Sequence, residues 1–111
     1  MKETFVVKHA VGGKIFIDTG KRAVPYKLEE KADGGYRFTV STPRGPEIEE
    51  LLKLAHELNV FVFRDYSEEN EPTVKTWFYV NEGPVSYDDE KQELTIEAQS
   101  KIEYVPDRYL S

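Results

Sequence analysis

Two stretches decide the fold, Val60-Phe61-Val62-Phe63-Arg64-Asp65-Tyr66 and Thr73-Val74-Lys75-Thr76-Trp77-Phe78-Tyr79-Val80. Both are built of β-branched and aromatic residues, the types that fit a pleated strand. In the first, Val60 and Val62 alternate with Phe61 and Phe63. In the second, Phe78 and Val80 alternate with Trp77 and Tyr79. A half-buried strand alternates apolar with polar residues, whereas these are apolar on both sides. That pattern predicts two central strands covered on both faces, one cover being a helix and the other the N-terminal hairpins.

Working outward, the helix lies immediately upstream. Pro46 suits a first helical position, where its missing N–H is not needed. Glu47, Glu49 and Glu50 fall in the first turn, where the helix dipole favours negative charge. Ile48, Leu51, Leu52, Ala55 and Leu58 recur at helical spacing and make one apolar face, and Asn59 can stop the helix in a left-handed conformation. The spacing therefore predicts a helix over about 46–58. Before it come two hairpins. Thr4–Val11 returns as Lys14–Asp18 through a two-residue Gly12-Gly13 turn, with Phe5, Val7, His9 and Val11 on the inward side. Val24–Glu30 returns as Tyr36–Ser41 through Asp33-Gly34-Gly35, with Val24, Tyr26, Leu28, Tyr36, Phe38 and Val40 inward. Downstream, Ser67–Pro72 is an exposed acidic loop. Leu94–Ala98 and Ile102–Val105 supply a last strand or pair, entered through a turn at 87–91. The expected architecture is α+β: a mostly antiparallel sheet of about seven to eight strands, as a curved sheet or partial barrel, with one central amphipathic helix, in a single domain of residues 1–111.

Composition is consistent with that size. The chain has 111 residues, 39% of them apolar and 32% charged, enough to bury a core without metal or disulfide. It has no cysteine, which excludes disulfides, thiolate metal sites and a cysteine nucleophile. No apolar run reaches the ~20 residues of a membrane span, and Met1-Lys2-Glu3-Thr4-Phe5 runs straight into a strand pattern, so a cytoplasmic, soluble protein is the expectation. One Met, few Asn and Gln and many Lys and Glu is a thermophile-like balance, and equally that of a computationally optimised sequence.

Charge is split at Pro46. Residues 1–46 carry nine Lys/Arg against five Asp/Glu, a net of +4, and residues 47–111 carry six against sixteen, a net of −10. Either the molecule has a strong electrostatic dipole or its basic part lies over its acidic part. Lys8, Lys14, Phe16, Lys27 and Arg37 fall opposite the inward sets and form a candidate basic surface with an exposed ring. Cations around an aromatic suit single-stranded nucleic acid, but one ring and an acidic total argue against that partner.

No cofactor or metal motif stands out. His9 and His56 have no third ligand singled out and no nucleophilic serine in an elbow motif beside them. Asp88-Asp89-Glu90 and Glu68-Glu69-Asn70-Glu71 lack the spacing of a calcium loop. Ile17-Asp18-Thr19-Gly20 resembles, over four residues, the Asp-Thr-Gly of aspartic proteases, where paired loops from two protomers share a proton between carboxylates. Lys21 stands where that family carries a small residue, and its glycine-rich flap and Gly-Arg-Asp/Asn segment are not evident. A strand ending in a turn calls for the same residues.

Three functional expectations follow. The leading one is a non-catalytic interaction domain that binds a protein, or itself, through complementary charge. The second is a small-molecule-binding or catalytic domain in which Phe61, Phe63, Trp77 and Tyr79 line an apolar pocket and His9, Tyr26 and Tyr104 are the polar groups converging on it. A third, an engineered or inhibitor-type protein, would array its acids over the surface like phosphates.

Overall fold

Alternating β-branched and aromatic residues make this chain overwhelmingly strand. The computed structural model describes residues 1–80 and 84–105. In chain order the elements are β1 (Lys2–His9), β2 (Ile15–Asp18), β3 (Tyr26–Glu30), β4 (Tyr36–Ser41), α1 (Pro46–Lys53), β5 (Leu58–Asp65), a 3-10 turn (Ser67–Glu69), β6 (Val74–Val80), β7 (Val85–Asp88), β8 (Glu93–Ala98) and β9 (Ser100–Tyr104). All strand pairs are antiparallel and form two sheets, a five-stranded one in the order β2-β1-β5-β6-β9 and a four-stranded one in the order β3-β4-β8-β7.

The sheets bury their facing sides against each other. Phe5, Val7, Val60, Val62 and Phe78 from the first meet Phe38, Val40, Leu94, Ile96 and Ala98 from the second, all at most 2% exposed. A run of rings stitches the layers together: Tyr26 stacks on Phe5, Phe5 on Phe38, and Phe78 meets Phe38 and Tyr36 edge-on. Such pairs add about 0.5–1.5 kcal/mol each beyond the area they bury. The helix adds Ile48 and Leu51 to this core and lies against β2, where Lys14 Nζ reaches Glu50 Oε2 at 2.5 Å.

Four expectations need correction. Among the described residues there are nine strands, because Tyr87 and Asp88, expected in a turn over 87–91, belong to a strand, Val85–Asp88, that pairs with β8 through Val85↔Ile96 and Tyr87↔Leu94. The strands form two sheets in place of one, and neither closes; each keeps two edges. The helix ends at Lys53, with Leu54 as its C-cap. Leu58 and Asn59 continue the helical spacing on paper, but Leu58 is taken by β5, opposite His9 and Val80, where it is 2% exposed. Finally, Gly12-Gly13 is not a two-residue turn: residues 10–14 connect β1 to β2, Val11 is 79% exposed, and Gly13 at φ +74° takes the left-handed conformation.

The strands β5 and β6 do occupy the middle of their sheet, but the expected cover on both faces is absent among the described residues. The helix lies at the β2 side and both N-terminal hairpins are used elsewhere, one extending the sheet at its edge and the other forming half of the opposing sheet. One face of β5 and β6 is therefore left outside.

A candidate docking face on the five-stranded sheet

The register fixes which side chains share that outer face. Val6 on β1 lies opposite Phe61 on β5, Phe61 opposite Trp77 on β6, and Trp77 opposite Ile102 on β9, an unbroken apolar row across four strands. One flanking row reads Lys8, Asn59, Tyr79, Ser100, and the other Thr4, Phe63, Lys75, Tyr104. Phe61, Phe63, Trp77 and Tyr79 thus do come together, with Tyr104 among them, yet as an open platform. Tyr79 is 46% and Ile102 56% exposed, while the rings shelter Val6 to 9%.

The Trp77 indole and the lysines of the platform are engaged. Trp77 Nε1–H donates to Asn59 Oδ1 at 3.0 Å. Lys75 Nζ lies 4.4 Å from the ring centre of Phe61, 5.2 Å from that of Phe63 and 5.7 Å from that of Tyr104. Lys8 Nζ approaches the Phe61 ring at 5.5 Å. At partly exposed sites such contacts are worth about 0.5–1 kcal/mol each. Between Trp77, Tyr79, Ser100, Lys101 and Ile102 runs an open groove of about 270 Å³. Its lining suits an apolar side chain. Drug-sized ligands use deeper sites of ~300–1,000 Å³.

The other polar candidates lie apart. His9, at the end of β1, takes the Gly12 N–H on Nδ1 at 3.2 Å and meets Glu57 through Nε2 at 2.5 Å. Tyr26 sits at the rim between the sheets, its hydroxyl on Glu3, which also receives Arg64 at 3.0 Å. Burial first, then the Glu3 carboxylate, pushes the Tyr26 phenol well above its usual range.

The candidate basic surface is dispersed. Lys8 belongs to the platform, Lys14 pairs with Glu50 beside the helix, and Lys27 and Arg37 project from the outer side of the four-stranded sheet, near Glu29 and Glu97. Phe16 is the clear correction: it is 7% exposed and part of the core, because the β1–β2 register shifts between Val7 and Lys8 and lets Phe16 and Ile17 both be buried. Among the described residues most ion pairs join a cation of the first half to an acid of the second, as in Lys14–Glu50, Lys31–Glu97 and Arg44 with Glu49 and Asp89. Several cations of the first half are thus held by acids of the second. The acids of the helix start, of 68–71 and of 88–90 belong to separate elements.

The Asp-Thr-Gly segment is used by its own turn: Asp18 Oδ1 accepts the Gly20 N–H at 2.9 Å, and Thr19 Oγ1 accepts the Phe5 N–H at 2.8 Å. Among the described residues no group of three or more His, Asp and Glu side chains is placed to hold a metal ion, and no helix is long and apolar enough to cross a membrane. Sequence reasoning missed Val6, Asn59, Lys75 and Ile102 as members of the platform. The signal was present in the alternation of Ser100, Ile102 and Tyr104, but only the strand register connects it to β6. No family model, curated protein or solved structure matches this chain.

Proposed function

We propose that this chain is a non-catalytic binding domain that docks a protein partner on the outer face of its five-stranded sheet. The supporting observation is the row Val6–Phe61–Trp77–Ile102, apolar across four strands, over which no described element packs and which is half-buried at Phe61 and Trp77 and 56% exposed at Ile102. Contiguous exposed apolar surface of this kind marks interaction sites. Its layout, an apolar centre containing Trp and Phe with Tyr, Lys and Asn around it, is the anatomy of a protein interface. Complementary charge acts through Lys2, Lys8 and Lys75 on this face, while Lys14, Lys31, Arg37 and Arg44 are already paired with acids of the second half. The groove beside Trp77 accommodates one anchoring side chain of the partner.

The test is a triple replacement, Phe61→Ser, Tyr79→Ser and Ile102→Ser, read two ways. If the face serves docking, the denaturant midpoint of the dilute protein stays near that of the wild type while retention of its partner by the immobilised domain is lost. A stability loss of core size, above ~3 kcal/mol for the three together, makes these side chains structural and sinks the reading. Undiminished partner retention by the variant sinks it equally.

A further inference from the structure

We infer that the occupant of this face is a second copy of the same chain, seated sheet against sheet across a two-fold axis. The inference rests on the docking reading above and adds the identity of the partner. Footprint is the first argument. Five strands spaced ~4.8 Å apart, each contributing ~20 Å of length, give a flat area of ~500 Å², which side-chain relief brings towards the ~800 Å² per partner of a standard stable interface. A second copy presents the same footprint by construction. In an isologous pairing each residue serves twice, so the row Val6–Phe61–Trp77–Ile102 crosses its own counterpart and Ile102 can enter the groove beside the other copy's Trp77.

Charge is the second argument. The chain carries −6, yet the charged residues that the register places on this face are Lys2, Lys8 and Lys75 against Asp18 and Asp65. Two copies that repel elsewhere therefore meet least opposition here. A single-stranded nucleic acid would meet the full negative charge of the molecule. It would also find the Phe61 ring already faced by Lys8 and Lys75, which competes with base stacking. Desolvation is the third. With the Trp77 N–H already on Asn59, closing the face strands no indole donor.

The protein has one tryptophan, and it lies in this face, so its emission reports on this surface alone. Sedimentation equilibrium of the full chain from about 1 µM to about 1 mM is expected to show twice the 12.9 kDa chain mass at the upper end, with Trp77 emission moving to shorter wavelength in step with the dimer fraction. Ile102→Glu, at a position 56% exposed in the single chain, is expected to raise the dissociation constant about 100-fold while leaving the circular dichroism and thermal midpoint of the dilute protein unchanged. Tyr79→Lys provides an independent second disruption, and Lys27→Glu on the outer side of the other sheet leaves association unchanged. A monomer throughout the range overturns the inference, and so does a dimer that survives both disruptions. If that monomer instead binds labelled oligothymidylate with steep salt dependence, the face is a nucleic-acid platform, and the second copy and the protein-docking reading both fall. If it binds a different protein, only the second copy falls. The docking reading otherwise falls on the stability of the triple variant, which is measured separately.

Discussion

The two sheets have the same job on the inside and opposite surfaces on the outside. Outward from the four-stranded sheet project Lys27, Glu29, Arg37, Thr39, Glu93, Thr95 and Glu97, laced by Lys27–Glu29 and Arg37–Glu97 pairs. Outward from the five-stranded sheet project Val6, Phe61, Phe63, Trp77, Tyr79 and Ile102. One chain thus contains its own control. A polar outer face is compatible with a stable sheet in this very molecule, so the fold alone does not require rings on the other. The proposed docking role accounts for the large apolar side chains on that face.

The comparison breaks most readily at its base, the shared core. Phe78→Ala, on the inner side of β6 and touching both Phe38 and Tyr36, is expected to cost about 3–5 kcal/mol by urea denaturation. A loss under ~1 kcal/mol would mean the inner face is not what holds the sheets together. Thr76→Val on the same side is expected to gain about 1 kcal/mol, because the Thr76 hydroxyl is buried without a hydrogen-bond partner among the described residues. Destabilisation there would assign the hydroxyl a role in the core.

On the polar outer face, Glu97 receives Lys31 at 2.6 Å and Arg37 at 3.6 Å, and Glu97→Gln is expected to cost under ~1 kcal/mol, less at high salt. On the apolar outer face, Tyr79→Ser is expected to change the stability of the dilute protein by no more than ~0.5 kcal/mol. A loss matching that of Phe78→Ala would erase the distinction between inside and outside. The smallest effect is nil at neutral pH. Tyr26 is held protonated above its usual 10.0 by burial and then by Glu3, so its contribution is fully present below pH 10 and is lost as pH rises through the folded value. Stability curves of wild type and Tyr26→Phe should therefore run parallel to about pH 10, with the wild type falling faster beyond it. Parallel curves throughout would show that burial does not protect the phenol.

Much of this was legible in the residues. The β3–β4 hairpin and its inward side follow from alternation, and Tyr26, Leu28, Tyr36, Phe38 and Val40 all face or fill the core. Pro46 starts the helix, with Glu47 and Glu49 in its first turn. The central position of β5 and β6 was also readable from their lack of a polar side. What alternation cannot convey is what covers a face. Phe61 and Trp77 read as core because period two reports apolarity, whereas burial depends on which distant segment arrives. Leu58 misled for a related reason: it satisfies the helical period and the strand equally, and pairing with His9 and Val80 decides for the strand. Phe16 required a register shift that no local pattern announces. The platform's membership was half visible, its rings in the central strands and its edge, Ile102 and Tyr104, hidden in a strand whose partner lies a hairpin and two turns away.

The order in which the strands are used has a kinetic consequence. The chain deals its strands in pairs, β1 and β2 to one sheet, β3 and β4 to the other, β5 and β6 back to the first, β7 and β8 to the second, and β9 to the first again. The inner strand β4 must therefore wait for β8, separated from it by the helix and three strands, and β1 waits for β5. During synthesis the two early hairpins stand with apolar flanks unpaired until most of the chain has emerged, and closing these long loops predicts folding in milliseconds to seconds. Neither sheet can be excised by a single cut. The two layers share one core, so a truncation that removes β1 is expected to unfold both sheets together.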